Sequence, residues 1–170
     1  MGKQRKEKMI QQTLVLVKPD GVKRGLIGEI ISRFERRGLK IVAMKLTVIG
    51  PDFAKKHYFD VCERRGEKIL KANVDFITSG PVLAMVLEGV DAIDIVRKIV
   101  GSTEPKSAPV GTIRGDYTHM SYGHADEKGI VTKNVVHASS NENDAIKEIS
   151  LWFSIDEMHD YKISCEEHVM

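Results

Sequence analysis

The stretch NVVHAS, residues 134–139, sets His137 in a short apolar run where one more valine would pack better. Free imidazole has a reference pKa of about 6.5, so near neutral pH much of it carries a lone pair able to attack an electrophile. Its neighbours Ala138 and Ser139 are small and leave room for a bulky group. A lone histidine is more often a satisfied core residue, so other residues must shift that weighting. Lys18 lies just past the first apolar run, Arg97 late in a helical segment and Arg114 in a glycine-flanked loop. Converging on one cleft, they would suit a polyphosphate: arginine offers a planar fork to phosphate oxygens and lysine a compact point charge. Glu148 falls on the segment after His137 and could return to orient its ring, or simply pair with Lys147. Ser139 with Glu142 fits the S-x-x-E capping pattern, which predicts a helix start there.

These residues need a scaffold, and the apolar pattern supplies one. TLVLV at 13–17 reads as a strand ending in a KPDG turn, and 26–37 has helical spacing closed by Gly38. A long strand is predicted at 40–49, a helix from Asp52 to about Cys62, a second short helix within 67–77, a buried strand at 81–89 and a helix at 91–100. The polar span 101–133 is long for a structureless loop in a compact domain, which marks it as functional. The run VTKNVVHA at 131–138 and the helix DAIKEISLWF complete the series. That order predicts an α/β fold, an α+β sandwich on a ferredoxin-like βαββαβ core with an antiparallel sheet and added helices.

The chain's 170 residues fit one core, taken as 12–170, with 1–11 a basic solvated tail. With 26 basic and 24 acidic residues the net charge is +2, which permits phosphate ligands but lacks the basic excess of a nucleic-acid binder. Cys62 and Cys165 form no CxxC pair, and no apolar run is long enough to span a bilayer, so a cytoplasmic location is expected. Walker-type and Rossmann glycine patterns are absent. His119, His124 and Asp126 crowd one loop without a familiar ligand spacing, and His57 with Tyr58 offers a stacking surface or plain packing.

Together VKPDGVKRGLIGEII, SGPVLAMVLEG, GTIRGD, NVVHAS and EISLWF resemble the nucleoside diphosphate kinase family, in its motif order over about residues 12–162. The resemblance implies a ferredoxin-like core and ping-pong transfer of a terminal phosphoryl group between nucleotides through a phosphohistidine, with Mg²⁺ carried on the nucleotide and no direct protein ligand for it. It implies His137 as the phosphorylated nucleophile, held and polarised by Ser139 and Glu148, with Tyr58 supporting that region. Lys18, Arg97, Thr103, Arg114 and Asn134 would contact phosphates and sugar. Partners would be nucleoside di- and triphosphates such as ATP and GTP, neither membrane nor nucleic acid, and copies of the chain itself, as a hexamer rather than a tetramer. The other readings are a catalytically silent nucleotide-binding or regulatory protein on the same fold and a weaker nucleic-acid-binding module.

Three departures qualify the resemblance. Where the family usually carries Pro-Phe-Phe, with an aromatic stacked on the base, this chain has a longer segment with Ile69 and Leu70 nearest in register and Phe76 as another aromatic. The stretch 117–133 is longer than the compact family form and predicts a surface insertion near the site or a subunit contact. Ser140 stands where the family commonly has Asp.

Overall fold

The computed structural model describes residues 10–164 and 166–169. Four strands, β1 (Ile10–Val17), β2 (Lys40–Thr47), β3 (Val82–Val90) and β4 (Val136–Ala138), form one antiparallel sheet in the order β2-β3-β1-β4. That order, with a helical connection between β1 and β2 and another between β3 and β4, is the expected ferredoxin-like arrangement. β1 begins at Ile10, so residues 10 and 11 belong to the sheet and not to a tail; the rest of the expected tail lies outside the described residues.

Alternation along β1 explains why the sheet needs cover on both faces. Val15 and Val17 pack with Ile30 and Phe34 of α2 (Ile27–Glu35) and Val96 of α6 (Ala92–Val100). Leu14 and Leu16 pack on the other face with Ala54 of α3 (Pro51–His57), Val74 and Ile77 of α5 (Glu67–Ile77) and Trp152 of α9 (Glu142–Trp152). β1 and β3 are therefore central strands buried on both sides. Gly38 (φ 82°) closes α2 by donating to the Glu35 carbonyl at 2.9 Å, while Leu39 N–H reaches Phe34 O at 3.2 Å, as the sequence led us to expect of that glycine.

Four local expectations change. The KPDG stretch is a short helix, α1 (Pro19–Lys23), because proline suits a first helical position. The helix expected from Asp52 to Cys62 is two, α3 and α4 (Val61–Arg65), the latter ended by Gly66 at φ 86°. The apolar run 131–138 pairs only over its last three residues. The span 101–133 is not structureless: it holds a 3-10 turn at Pro105–Ser107 and the helices α7 (Ile113–Tyr117) and α8 (Tyr122–Lys128), before the closing turn Ile155–Glu157 and α10 (Glu166–Val169). No helix among the described residues is long and apolar enough to cross a membrane.

Candidate active site

Register decides where His137 points. It pairs with Leu16, and residues directly opposite on neighbouring strands share a face, so its ring projects toward α3 and α9. On α9, Ala145, Glu148, Ile149 and Trp152 share the inward helical face, which brings a carboxylate under the imidazole. Glu148 Oε1 lies 2.9 Å from His137 Nε2, and Glu148 Oε2 accepts the Ser139 hydroxyl at 2.6 Å. Ser139 Oγ in turn accepts the Leu14 backbone N–H at 3.2 Å. An ionised carboxylate only accepts, so the hydrogen of a neutral His137 is assigned to Nε2 and the lone pair to Nδ1.

Burial works against ionising Glu148. The His137 charge and hydrogen bond and the Ser139 hydroxyl outweigh it and hold the carboxyl below its usual range. Ser139 is therefore not a helix cap. The capping box expected with Glu142 does not form, because the serine hydroxyl is spent on Glu148 and Leu14, and Asn141 caps α9 by accepting Asp144 N–H at 2.9 Å.

Behind His137 stands a residue whose part the sequence left undecided. His57 is buried and its ring meets the His137 ring edge-on, centroids 4.6 Å apart. Its Nδ1 accepts the Trp152 indole N–H at 3.3 Å, so the ring hydrogen belongs on Nε2, which has no partner among the described residues. Burial and the neighbouring His137 press the His57 pKa down to about 3, which keeps it neutral. His57, His137 and Glu148 are the one acid and histidine group among the described residues compact enough to hold a metal, with ligand atoms within 4.8 Å of one another. Metal at His57 Nε2 would move its hydrogen to Nδ1 and aim it at the Trp152 donor, which opposes a metal there. His119, His124 and Asp126 do not gather into such a group.

The open side of His137 faces a cleft of about 350 Å³, also lined by Tyr58, Arg97, Thr103, Arg114, Ser140, Asp144 and Glu148. Tyr58 sits beside the pair, and burial, with the Glu148 charge, raises its phenol pKa and keeps it protonated. Arg114 donates Nε–H to Asn134 O at 3.3 Å, Nη1–H to Gly101 O at 3.0 Å and Nη2–H to Val136 O at 2.8 Å. It thereby ties the 101–114 loop to β4 while keeping guanidinium donors over for the cleft. Burial and the facing Arg97 lower its pKa to about 10, still charged at neutral pH.

Lys18 and Asn134 are not on the cleft wall but buried just behind it: Lys18 Nζ donates to Asn134 Oδ1, and Asn134 Nδ2 donates to the Thr103 carbonyl at 2.7 Å. Between them Val135 takes a left-handed backbone (φ 67°), a strained state for a β-branched residue that costs about 1–3 kcal/mol. The start of α1 enforces it: Lys18 N–H bonds Val135 O at 2.8 Å, and Asp20 Oδ2 accepts Val135 N–H at 3.0 Å. Gly21 is required there, since a Cβ would stand 2.8 Å from Val17 Cγ1 and 3.0 Å from Val135 Cγ1. Ile69, the residue expected to contact the nucleotide, is exposed on α5 and does not line the cleft, whereas Asn73 of the same helix does. Phe76 lies beneath Lys18, with Nζ 5.4 Å from its ring centroid, and also stays off the cleft wall.

An imidazole with a carboxylate behind it, in a cleft ringed by guanidinium groups on a ferredoxin-like sheet, defines a phosphoryl-transferring class of protein. The chain belongs to the nucleoside diphosphate kinase family, whose sequence model matches residues 11–158. The nucleoside diphosphate kinase of Borreliella burgdorferi is 49% identical over 156 residues, covering 91% of this chain and 93% of that protein. A solved structure described as a transition-state mimic of the Borrelia burgdorferi enzyme with bound vanadate and ADP superposes with a TM-score of 0.93 at 48% identity, covering 95% of this chain and 98% of that one. The Halobacterium salinarum enzyme in complex with CDP gives a TM-score of 0.79 at 42% identity, with 92% and 96% covered. The chain is accordingly an enzyme, a nucleotide phosphotransferase of this family.

Proposed function

We propose that the chain moves the terminal phosphoryl group of a nucleoside triphosphate to a nucleoside diphosphate through a phosphohistidine at His137. The observation that carries this reading is the Nε2–Glu148 bond, which leaves the free lone pair on Nδ1 of a ring that lines the basic cleft. In the first half-reaction the Nδ1 lone pair attacks the γ-phosphorus, the bond from phosphorus to the β,γ-bridging oxygen breaks, and the diphosphate leaves with that electron pair. The ring becomes an N-phosphoryl imidazolium whose positive charge faces the Glu148 carboxylate, so no proton has to move. In the second half a β-phosphate oxygen of another diphosphate attacks phosphorus and the Nδ1–P bond breaks. Arg97, Arg114 and Thr103 align the phosphates and balance their charge, which is most of what phosphoryl transfer asks of a protein.

Mg²⁺ would arrive on the nucleotide and neutralise phosphate charge. The oxygen donors lining the cleft suit such a hard ion: Ser140 in place of the usual Asp, and the carboxylates of Asp60 and Asp144, which could reach it through water. A cytoplasmic location and a homo-oligomer, a hexamer rather than a tetramer, complete the reading. The edge position of β2 supports association, since Met44, Leu46 and the following Val48 are 51%, 58% and 67% exposed there. Sedimentation equilibrium reads the copy number, and a monomer would remove that part.

Incubation with γ-labelled ATP tests the reaction itself. An acid-labile, base-stable label that a diphosphate discharges is expected. A silent nucleotide binder or a nucleic-acid module would retain no covalent label.

Lys18 adds a pH dependence. Burial lowers its pKa to about 8, Asp20 opposing and Arg114 assisting the shift. The charged form attracts phosphate, so the attraction is half lost at about pH 8 and fades above it. KM for ADP should rise several-fold between pH 7 and 9 in the parent chain and stay flat in Lys18→Met. Because the folded value lies below the free-chain 10.5, the ammonium burdens the fold below pH 8 and stability rises as pH goes from 8 toward 10.5.

A further inference from the structure

Val135 lies at the hub of the site, held in part by a carboxylate that the transfer steps do not use. Val136 N–H bonds Asn134 O at 2.7 Å, a tight three-residue turn about Val135 with Asn134 on one side and the start of β4, carrying His137, on the other. Arg114 donates to the carbonyls of Asn134 and Val136. Lys18 bonds the Val135 carbonyl through its backbone N–H and Asn134 Oδ1 through its ammonium. Lys18, Asn134, Arg114 and the reacting histidine are thus set by one strained turn. Asp20 is the one acidic residue whose side chain bonds this turn among the described residues, through Oδ2 and the Val135 N–H at 3.0 Å.

The other oxygen, Asp20 Oδ1, is buried and has no hydrogen-bond partner among the described residues. An orphaned acceptor of this kind is costly and calls for a reason. Hydrogen bonding gives none, because an asparagine would accept the same Val135 N–H through its carbonyl with no charge to bury. Charge gives one. Lys18 is buried facing Asp20 of α1, Arg114 of α7, Asn134, the neutral His57 of α3 and the Phe76 ring of α5. Of these groups Asp20 alone is negative, and its charge raises the Lys18 pKa that burial and Arg114 lower. It acts on Arg114 in the same sense. The Lys18 ammonium is bonded to Asn134 and not to Asp20, so the carboxylate acts as a fixed charge and does not compete with phosphate for the ammonium hydrogens.

We propose that Asp20 is a positioning residue for the transfer: one carboxylate oxygen pins the Val135 amide in the turn between Asn134 and His137, and the other is the fixed counter-charge of Lys18 and Arg114 beneath the cleft. The proposal rests on the phosphotransfer reading for the identity of the ligand. Without the charge, the base of the empty cleft would hold cations alone, and Lys18 would give up its proton at a lower pH. Without the bond, the turn would relax and His137 would lose its alignment.

Calorimetric titration of ADP over a pH series into the parent chain, Asp20→Asn, Lys18→Met and the double variant tests the charge. Lys18→Met carries the titration of ADP itself and is the baseline. Against it, the parent should lose ADP affinity with a midpoint at about pH 8. In Asp20→Asn that midpoint should move about one pH unit toward acid. The midpoint is the readout, because removing a carboxylate near a phosphate site also removes some repulsion. An unmoved midpoint overturns the proposal, and so does the same displacement between Lys18→Met and the double variant, which would place the titrating group elsewhere. Turnover tests the pin. At acid pH, where Lys18 is charged in all the chains that keep it, Asp20→Ala should lose about ten times more kcat than Asp20→Asn, whose side chain still accepts the Val135 N–H. Equal kcat in the two, both folded by thermal melt, overturns the proposal as well. Labelling by γ-labelled ATP is followed separately: a chain that shows the displaced midpoint but takes no label would sink the transfer reading and leave Asp20 as the counter-charge of Lys18.

Discussion

His137→Ala is expected to lower turnover on the order of 10⁴-fold or more while leaving the fold intact. The loss is large because no neighbour can take over. His57 is the nearest imidazole, but its Nδ1 accepts the Trp152 N–H and its hydrogen sits on Nε2, so neither nitrogen offers a free lone pair, and a group held to a pKa of about 3 is a poor nucleophile. The fold should survive because the His137 side chain is 24% exposed and sits on a short edge strand whose pairing with β1 is made by backbone. Glu148 would keep the Ser139 hydroxyl, and the oxygen released by the imidazole would turn to cleft water, at a cost of about 1 kcal/mol. Steady-state transfer beside a thermal melt separates the two outcomes. Near-parent turnover in a folded variant would remove His137 from the reaction.

Much of this site could be read from residue types, because the chemistry needs groups that rarely share an apolar run. A histidine among valines and small residues stood out, and so did cations spread over three segments that one sheet could gather. The ferredoxin-like sheet followed from the order of elements, and the unbroken apolar run of β3 marked that strand as buried on both faces, as it is. Other features depended on contacts between distant segments. Ser139 and Asn141 are both good caps by type, and the decision between them rests on where Glu148 lies, which local pattern does not contain. Trp152 and His57 are 95 positions apart, so their bond, and with it the state of His57, exists only after α9 packs on α3. Ile69 was matched by register, but α5 starts from Gly66 in a left-handed conformation, and its phase brings Asn73 to the cleft. The KPDG stretch looked like a turn because the constraint on Gly21, the closeness of Val17 and Val135, is tertiary.

Glu148→Gln should lower turnover by about two orders of magnitude with little change in stability. The amide is nearly the same shape, and its carbonyl oxygen can still accept the His137 Nε2–H. The Ser139 hydroxyl, now facing an amide NH₂, can accept from it and swing its own hydrogen toward the Leu14 carbonyl, 3.5 Å away. Polar groups are thus still partnered, and what disappears is the negative charge behind the ring. In the parent chain that charge faces an imidazole that becomes cationic on gaining the phosphoryl group, so its removal weighs on the phosphorylated state and the path to it more than on the resting one. The loss should therefore fall on kcat and on the yield of labelled enzyme, with ADP affinity nearly unchanged. A pH profile adds an independent reading. Glu148 has its pKa held below the usual carboxyl value, so its contribution to folding is present above the free-chain pKa and is lost as pH falls through the lower folded one. Over that acid window the parent rate should decline toward that of the glutamine variant, which has no carboxylate to protonate. A glutamine variant that matches the parent in both rate and acid profile would mean that the side chain acts by shape alone, and the charge would have no part in the transfer.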